Sequence, residues 1–424
     1  MKLAIHGGDP VRKVEENPWP AWPVWGQEER DRLMEVLESG VWSYNGPKET
    51  AFIEKWREFI GVRHCVPVAN GTVSLQLALE AMDIGVGDEV IVPGLTWQAT
   101  AAAVVDVNAT PVLVDVEPDT WCIDPAAVED AITGRTRALI PVHLYGNMAD
   151  MDALCAIAER HSLWIIEDAA HKHGAEWNGG RAGALGDAGS FSMQLSKILT
   201  AGEGGVLTTD SFELWQRMDA LRNCGRRPEN VIGDKSSGDY GEEGDLIQGG
   251  NYRITEFQAA VLLAQLDRLD GQNRLREENA RYLDSLIAAI PGCYPMRDDP
   301  RETRKSYFNY VFRVAEEEVG APVASIRNAL AAELGIGVNP CYQPLNDCSL
   351  YRPRTKKRHR LSEGYFEAID PARFDLPECT RAFAHTSVAV AHRVLMGNTD
   401  DMDQIAEAVR KVTANVDELR SGVA

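Results

Sequence analysis

Lys197 stands in a polar turn, after Ser190-Phe191-Ser192-Met193-Gln194-Leu195-Ser196 and before the glycine-rich Ala201-Gly202-Glu203-Gly204-Gly205. Asp168 lies upstream, where the apolar run Ile165-Ile166 passes into Glu167-Asp168-Ala169-Ala170-His171. A lysine amine can condense with an aldehyde, and a carboxylate at a strand end can keep a heterocyclic nitrogen protonated. Together these are the two groups that pyridoxal 5'-phosphate asks of a protein. Condensation also removes the charge of the lysine, and with it the cost of burying an ammonium.

Other segments supply what such a cofactor needs around it. In Val68-Ala69-Asn70-Gly71-Thr72-Val73-Ser74 a short strand ends, Gly71 turns, and a helix begins. Thr72 is the expected cap, and the free N–H groups of that helix start would hold a phosphate. Ser192 can add a hydroxyl to the same anion. Trp97, in Pro93-Gly94-Leu95-Thr96-Trp97, follows a strand and a turn. There its ring either stacks on a flat heterocycle or fills the core. Asn251 and Arg253, in Gly249-Gly250-Asn251-Tyr252-Arg253-Ile254-Thr255-Glu256, sit at a helix start for which Thr255 is the natural cap. A rival reading makes Asp168, His171 and His173 ligands of a metal in a hydrolase. A sensor that binds the cofactor without turnover is a second rival.

The bulk properties narrow the classes. The chain has 424 residues, 44% hydrophobic and 25% charged, with a formal net charge of −21. Such a surface repels phosphate backbones and anionic lipid, so neither nucleic acid nor membrane is an expected partner. The N-terminal Met1-Lys2-Leu3-Ala4-Ile5-His6-Gly7-Gly8 lacks the apolar stretch of a leader. The 8 cysteines form no C-x-x-C pair, which fits reduced thiols and a cytoplasmic location. There is no phosphate-binding G-x-x-x-x-G-K, no G-x-S-x-G and no H-E-x-x-H.

Apolar runs at 88–92, 111–115, 138–142, 163–166 and 205–209 alternate with helix candidates at 73–83, 96–106, 125–132, 149–161 and 211–222. That alternation predicts an α/β domain with a mostly parallel sheet, whose ligands gather at the carboxyl ends of the strands. The polar, glycine-rich stretch from Gly225 to Gly250 reads as a long loop, mobile or functional. A long helix or helix pair follows at 254–289. Short strands such as 310–314 and helices at 326–334 and 402–418 then suggest a smaller α+β domain. The expected division is 1–275 and 276–424. The basic run Arg352 to Arg360 reads as a solvated loop or as a seat for an anionic substrate such as a nucleotide diphosphate.

Taken in order, Asn70-Gly71-Thr72, Pro93 to Trp97, Asp168-Ala169-Ala170-His171, Ser190-Phe191-Ser192 with Lys197, and Asn251-Tyr252-Arg253 resemble the DegT/DnrJ/EryC1/StrS family of sugar aminotransferases. The resemblance runs from about Trp19 to the C-terminus. It implies the aspartate-aminotransferase-like, type I fold of pyridoxal phosphate-dependent transferases and a homodimer with shared active sites. It makes Lys197 the condensing amine and proton carrier, Asp168 the partner of the pyridine nitrogen, and Trp97 the stacking ring. His171 would lie near the other ring face or the phenolic oxygen. Gly71, Thr72 and Ser192 would hold the phosphate, with Asn251 reaching it from the partner subunit. Tyr342, in Cys341-Tyr342-Gln343-Pro344-Leu345, matches a substrate-contacting segment in which relatives carry histidine where Cys341 stands here. A part for that position in recognising sugar nucleotides therefore does not carry over. Within the family, Thr200 to Gly205 and Trp19-Pro20-Ala21-Trp22-Pro23 look closest to two subgroups. One moves nitrogen from L-glutamine to a cyclic keto-polyol, scyllo-inosose or its 2-deoxy form, for aminoglycoside antibiotics such as streptomycin, and it is the better match. The other makes 3-amino-5-hydroxybenzoate. Nucleotide keto-sugar aminotransferases are a third possibility. The dehydratase branch, which has histidine in place of the lysine, does not fit Lys197.

Overall fold

The computed structural model describes residues 2–226 and 247–420. Its centre is a sheet of seven strands: β1 His64–Val68, β2 Glu89–Pro93, β3 Thr110–Val114, β4 Thr136–Leu139, β5 Trp164–Asp168, β6 Ala188–Ser192 and β7 Gly205–Thr209. The spatial order is β1-β7-β6-β5-β4-β2-β3. Neighbours are parallel except where β7 runs antiparallel to both β1 and β6. Every residue of β2 and β7 is buried, as expected of strands covered on both faces. The predicted strand at 138–142 is shifted. β4 pairs earlier in the chain, and Val142 has left the ladder to bridge Asp168.

Helices α1 Gln27–Ser39 and α2 Pro47–Ile60 precede the sheet. Helices α3 Gly71–Ala81, α4 Ala99–Asp106, α5 Pro125–Ala131, α6 Met151–His161 and α7 Phe212–Arg222 connect its strands. The cap of α3 corrects the sequence reading. Asn70 Oδ1 accepts the Val73 N–H at 3.0 Å, so the helix starts two residues earlier than Thr72 would require. Thr72 sits inside the first turn. For α8, Glu256–Ile287, the expected cap is present. Thr255 and Gln258 form a reciprocal capping box, and the helix runs unbroken for 32 residues. Gly225 to Gly250 falls mostly at residues 227–246, outside the described residues.

Beyond α8, three antiparallel strands, Cys293–Pro295, Asn309–Val314 and Ser387–Ala391, form a second sheet. Helices Val323–Leu334 and Thr399–Thr413 pack with it. The helix expected at 402–418 breaks near Ala414 and resumes at Val416. The hydrophobic interior divides in two. One cluster surrounds the seven-stranded sheet. The other gathers Leu3, Trp19, the end of α8 from Ala280 onward and the apolar faces of the C-terminal elements. None of the eight cysteines is bridged. Among the described residues no helix is long and apolar enough to cross a membrane.

Candidate active site

The carboxyl ends of β5 and β6 open onto a cavity of about 840 Å³. Gly71, Thr72, Trp97, Asp168, His171, Ser192, Lys197 and Tyr342 all line it. Residues spread over most of the chain thus share one space, as ligand sites at the strand ends of an open α/β sheet do.

Asp168 is held in place by main chain on both sides. Its N–H donates to the Pro141 carbonyl at 2.9 Å, and its carbonyl accepts from His143 N–H at 3.1 Å. Its side chain is buried and accepts two hydrogen bonds, from Thr100 Oγ1 at 2.8 Å and from Ala170 N–H at 3.2 Å. Burial raises its pKa, against the pull of those donors and of Lys197. It is a carboxyl group short of positive charge. Burial likewise pushes the Lys197 amine down to about 8, with Asp168 opposing. The amine lies 4.2 Å above the Phe308 ring. An amine so placed gives up its proton more readily than an ordinary lysine, which a nucleophile needs.

His171 is buried and stacked on Phe308, with ring centres 3.9 Å apart and planes 16° from parallel. Its Nδ1 accepts the Tyr145 N–H at 3.2 Å, and its Nε2 lies 3.2 Å from the Tyr342 hydroxyl. An Nδ1 that accepts leaves the proton on Nε2, so Tyr342 receives that hydrogen bond and keeps its own proton for the cavity. Burial, reinforced by Lys197, holds this imidazole far below its usual pKa. His173 turns away, its Nε2 donating to the Ser192 carbonyl at 2.9 Å. The two imidazoles of the metal reading are therefore committed elsewhere. No group of three ligating side chains is gathered among the described residues.

The end of the cavity beside α3 is built by close approach. A Cβ on Gly71 would stand 2.8 Å from that of Ser192, and one on Gly205 would meet the Asn70 main chain at 2.5 Å. Only glycines let β7 and the Ser192 end of β6 press against the start of α3. With Asn70 capping Val73, the N–H groups of Gly71 and Thr72 remain available to an anion. Trp97 is 46% exposed, so it is no core residue. Its ring lies 5.9 Å from that of Tyr342, on the cavity wall. An acid for the pyridine nitrogen, an amine, an anion cradle and a flat ring fit pyridoxal phosphate.

Asn251 is exposed and does not line the cavity of its own chain. Thr100, Tyr145, Gln194 and Phe308 were not marked by the sequence reading. Thr100 follows Trp97 by one helical turn, a spacing that could have flagged it. Phe308, in a segment with no motif, had no such signal. Cys341 is buried outside the cavity lining.

The model of the DegT/DnrJ/EryC1/StrS aminotransferase family matches residues 23–370. The chain is 46% identical to the L-glutamine:2-deoxy-scyllo-inosose aminotransferase of Streptoalloteichus tenebrarius, covering 99% of this chain and 100% of that relative. It is also 46% identical to the L-glutamine:scyllo-inosose aminotransferase of Streptomyces griseus, over 98% and 99%. Among solved structures, 3-amino-5-hydroxybenzoic acid synthase superposes with a TM-score of 0.81 at 34% identity, over 93% of this chain and 98% of that one.

Proposed function

We propose that this chain, which belongs to the DegT/DnrJ/EryC1/StrS aminotransferase family and is a pyridoxal phosphate-dependent aminotransferase, moves the amino group of L-glutamine onto a keto-cyclitol in aminoglycoside biosynthesis. The observation that carries this reading is the single cavity shared by Lys197, Asp168 and the Gly71–Thr72 cradle. When bound, the cofactor supplies an aldehyde that accepts the nitrogen and a ring that stores an electron pair. Asp168 holds the proton of the pyridine nitrogen, which is the cation its side chain lacks. The Lys197 amine takes the proton from the donor Cα and returns it, its lowered pKa suiting both directions near neutrality. Gly71, Thr72 and Ser192 would anchor the phosphate, and Trp97 would offer its face to the ring. Tyr342, oriented by His171, donates its hydroxyl proton toward the substrate.

The acceptor is scyllo-inosose or 2-deoxy-scyllo-inosose. Equal identity to relatives of both names supports both, so the streptomycin-type acceptor suggested by the sequence stands beside the 2-deoxy one. The sequence relatives named above are inosose aminotransferases, which favours a cyclitol over a nucleotide keto-sugar; the basic run is only partly paired with acids. Lys356, Arg358 and His359 face Asp106, and Arg354 pairs with Asp370. The reading includes a cytoplasmic homodimer in which Asn251 serves the partner's cavity, supported by its exposure on its own chain, and a domain division near residue 275.

Mixing the yellow enzyme with L-glutamine should convert its absorption to that of the amine form, and either inosose should restore it. Lys197→Ala should bind the cofactor yet fail at both steps. Full turnover by Lys197→Ala, or no response to glutamine, would overturn the assignment.

A further inference from the structure

Three ring N–H groups from distant parts of the chain converge on the segment leading into Lys197. Trp22 Nε1 donates to the Leu195 carbonyl at 2.9 Å. His173 Nε2 donates to the Ser192 carbonyl at 2.9 Å. His392, from the far C-terminal part, hydrogen-bonds the Ser196 main chain. A carbonyl can only accept, so each imidazole must carry its proton on the nitrogen that faces the segment. The remaining nitrogen of both rings, Nδ1, is buried without a partner.

Beside them lies a cation with no evident purpose. Arg276, on α8, is fully buried. No carboxylate pairs with it among the described residues. One of its nitrogens donates to Asn273 Oδ1 at 3.2 Å, while Nε and Nη2 have no partner. Asn273 in turn donates to the His173 carbonyl at 2.8 Å. The guanidinium lies 5.2 Å from the centre of the Trp22 ring, and Trp22 stands edge-on to His392 at 4.6 Å. A buried, unpaired guanidinium is costly and is not explained by packing alone. Its unpartnered nitrogens and the unpartnered Nδ1 atoms of the two imidazoles lie in the same buried region without bonding one another.

We propose that Arg276 is a positioning residue that keeps His173 and His392 as neutral, Nε2-protonated rings, which together with Trp22 clamp the Ser192, Leu195 and Ser196 carbonyls and so place the Lys197 amine. A second proton on either ring would have to sit on the Nδ1 near the guanidinium. Burial opposes it most, aided at His173 by the charges of Lys197 and then Arg276 and at His392 by that of Arg276, holding His173 near 3 and His392 well below its ordinary value. The clamp draws on the N-terminal arm, the central sheet and the C-terminal part. Lysine placement therefore depends on how those three regions meet. This inference rests on Lys197 being the reactive amine.

The test uses 15N-histidine spectra of the full-length enzyme without cofactor, alongside kinetics of the loaded enzyme. In the wild type, both rings should keep the neutral Nε2–H signature from about pH 5 to about pH 8. In Arg276→Met at least one should titrate or change tautomer. Its kcat should fall tenfold or more, since a displacement of about 1 Å in a reacting group can cost about 10²-fold. Both KM values should stay within about twofold. Arg276→Lys should restore the signature in part. Trp22→Phe keeps the ring and removes its N–H. It should lower kcat severalfold at unchanged Tm, and it carries the test if Arg276→Met does not fold. Unaltered ring signals in Arg276→Met, or wild-type kcat in Trp22→Phe, would sink the proposal. Turnover by Lys197→Ala would instead sink the amine assignment, leaving the histidine spectra as they are.

Discussion

Glu167 and Asp168 are adjacent on β5, both buried, and they live in opposite electrostatic worlds. Successive strand residues point to opposite faces, so one carboxylate enters the protein interior and the other the cavity. Glu167 accepts from Gly183 N–H at 2.8 Å, Leu185 N–H at 2.7 Å and Gly186 N–H at 2.8 Å, and meets His143 Nε2 at 3.0 Å. His143 Nδ1 accepts the Ala149 N–H, so its Nε2 is a donor and Glu167 has four. Four donors fill the lone-pair sites of a carboxylate. Asp168 has two, and burial raises its pKa. The full set marks a structural acid that ties the Gly183–Gly186 turn to the sheet. The incomplete one is what the proposed role of Asp168, partner of a cation that arrives with the cofactor, requires.

Substitution separates the two. Asp168→Asn keeps the shape and the Thr100 hydrogen bond but cannot hold a protonated ring nitrogen. Its kcat/KM should fall by at least about 10²-fold, the lower end of what a placed proton contributes. Its Tm should hold or rise, because a buried charge is gone. Glu167→Gln should do the reverse, losing about 3 kcal/mol of stability as an amide N–H faces main-chain donors. The fraction still folded should keep the cofactor absorption. A Glu167→Gln enzyme with wild-type Tm and no activity would break the comparison.

A third acid sharpens it. Asp284 has its pKa raised to about 6 by burial, yet it lies outside the cavity lining and accepts from Tyr310 at 2.7 Å. Asp284 lines a separate cavity of only about 10 Å³, so a raised pKa marks a site only when the acid also faces a space large enough for a ligand. The folded form binds the proton more tightly than the unfolded chain. The contribution of Asp284 to stability is therefore full below about pH 4 and lost as pH rises through about 6. Asp284→Asn should flatten that part of the stability profile. It should also stabilise the fold by about 1–2 kcal/mol above pH 7, allowing for partial exposure, with kcat unchanged. Thermal melts between about pH 4 and about pH 8 read both.

Much of the fold was legible because it is written in near neighbours. Apolar runs marked four of the strands around the site. Thr255, a natural cap, marked the start of α8, and the structure added Gln258 as its reciprocal partner. Asp168 and Lys197 stood out because a strand-end acid and a lysine before glycines are unusual in their own short contexts. The cap of α3 shows the limit even locally. Asn70 and Thr72 are both able caps, and the choice depends on where the helix begins, which the approach of β7 through Gly205 decides.

By itself, then, the order of residues determined the α/β pattern, the glycine turns and the identity of the groups that can do chemistry. Their local backbone preferences do not depend on the rest of the chain. Only the tertiary structure decided that Phe308 stacks on His171 beneath the Lys197 amine, that the Tyr342 hydroxyl accepts the hydrogen bond of His171 Nε2, and that Arg276 lies buried without a carboxylate among the described residues that hold the lysine segment. Those encounters join residues more than a hundred positions apart. No periodicity or spacing encodes them, because they exist only once two hydrophobic cores have packed and brought their edges together.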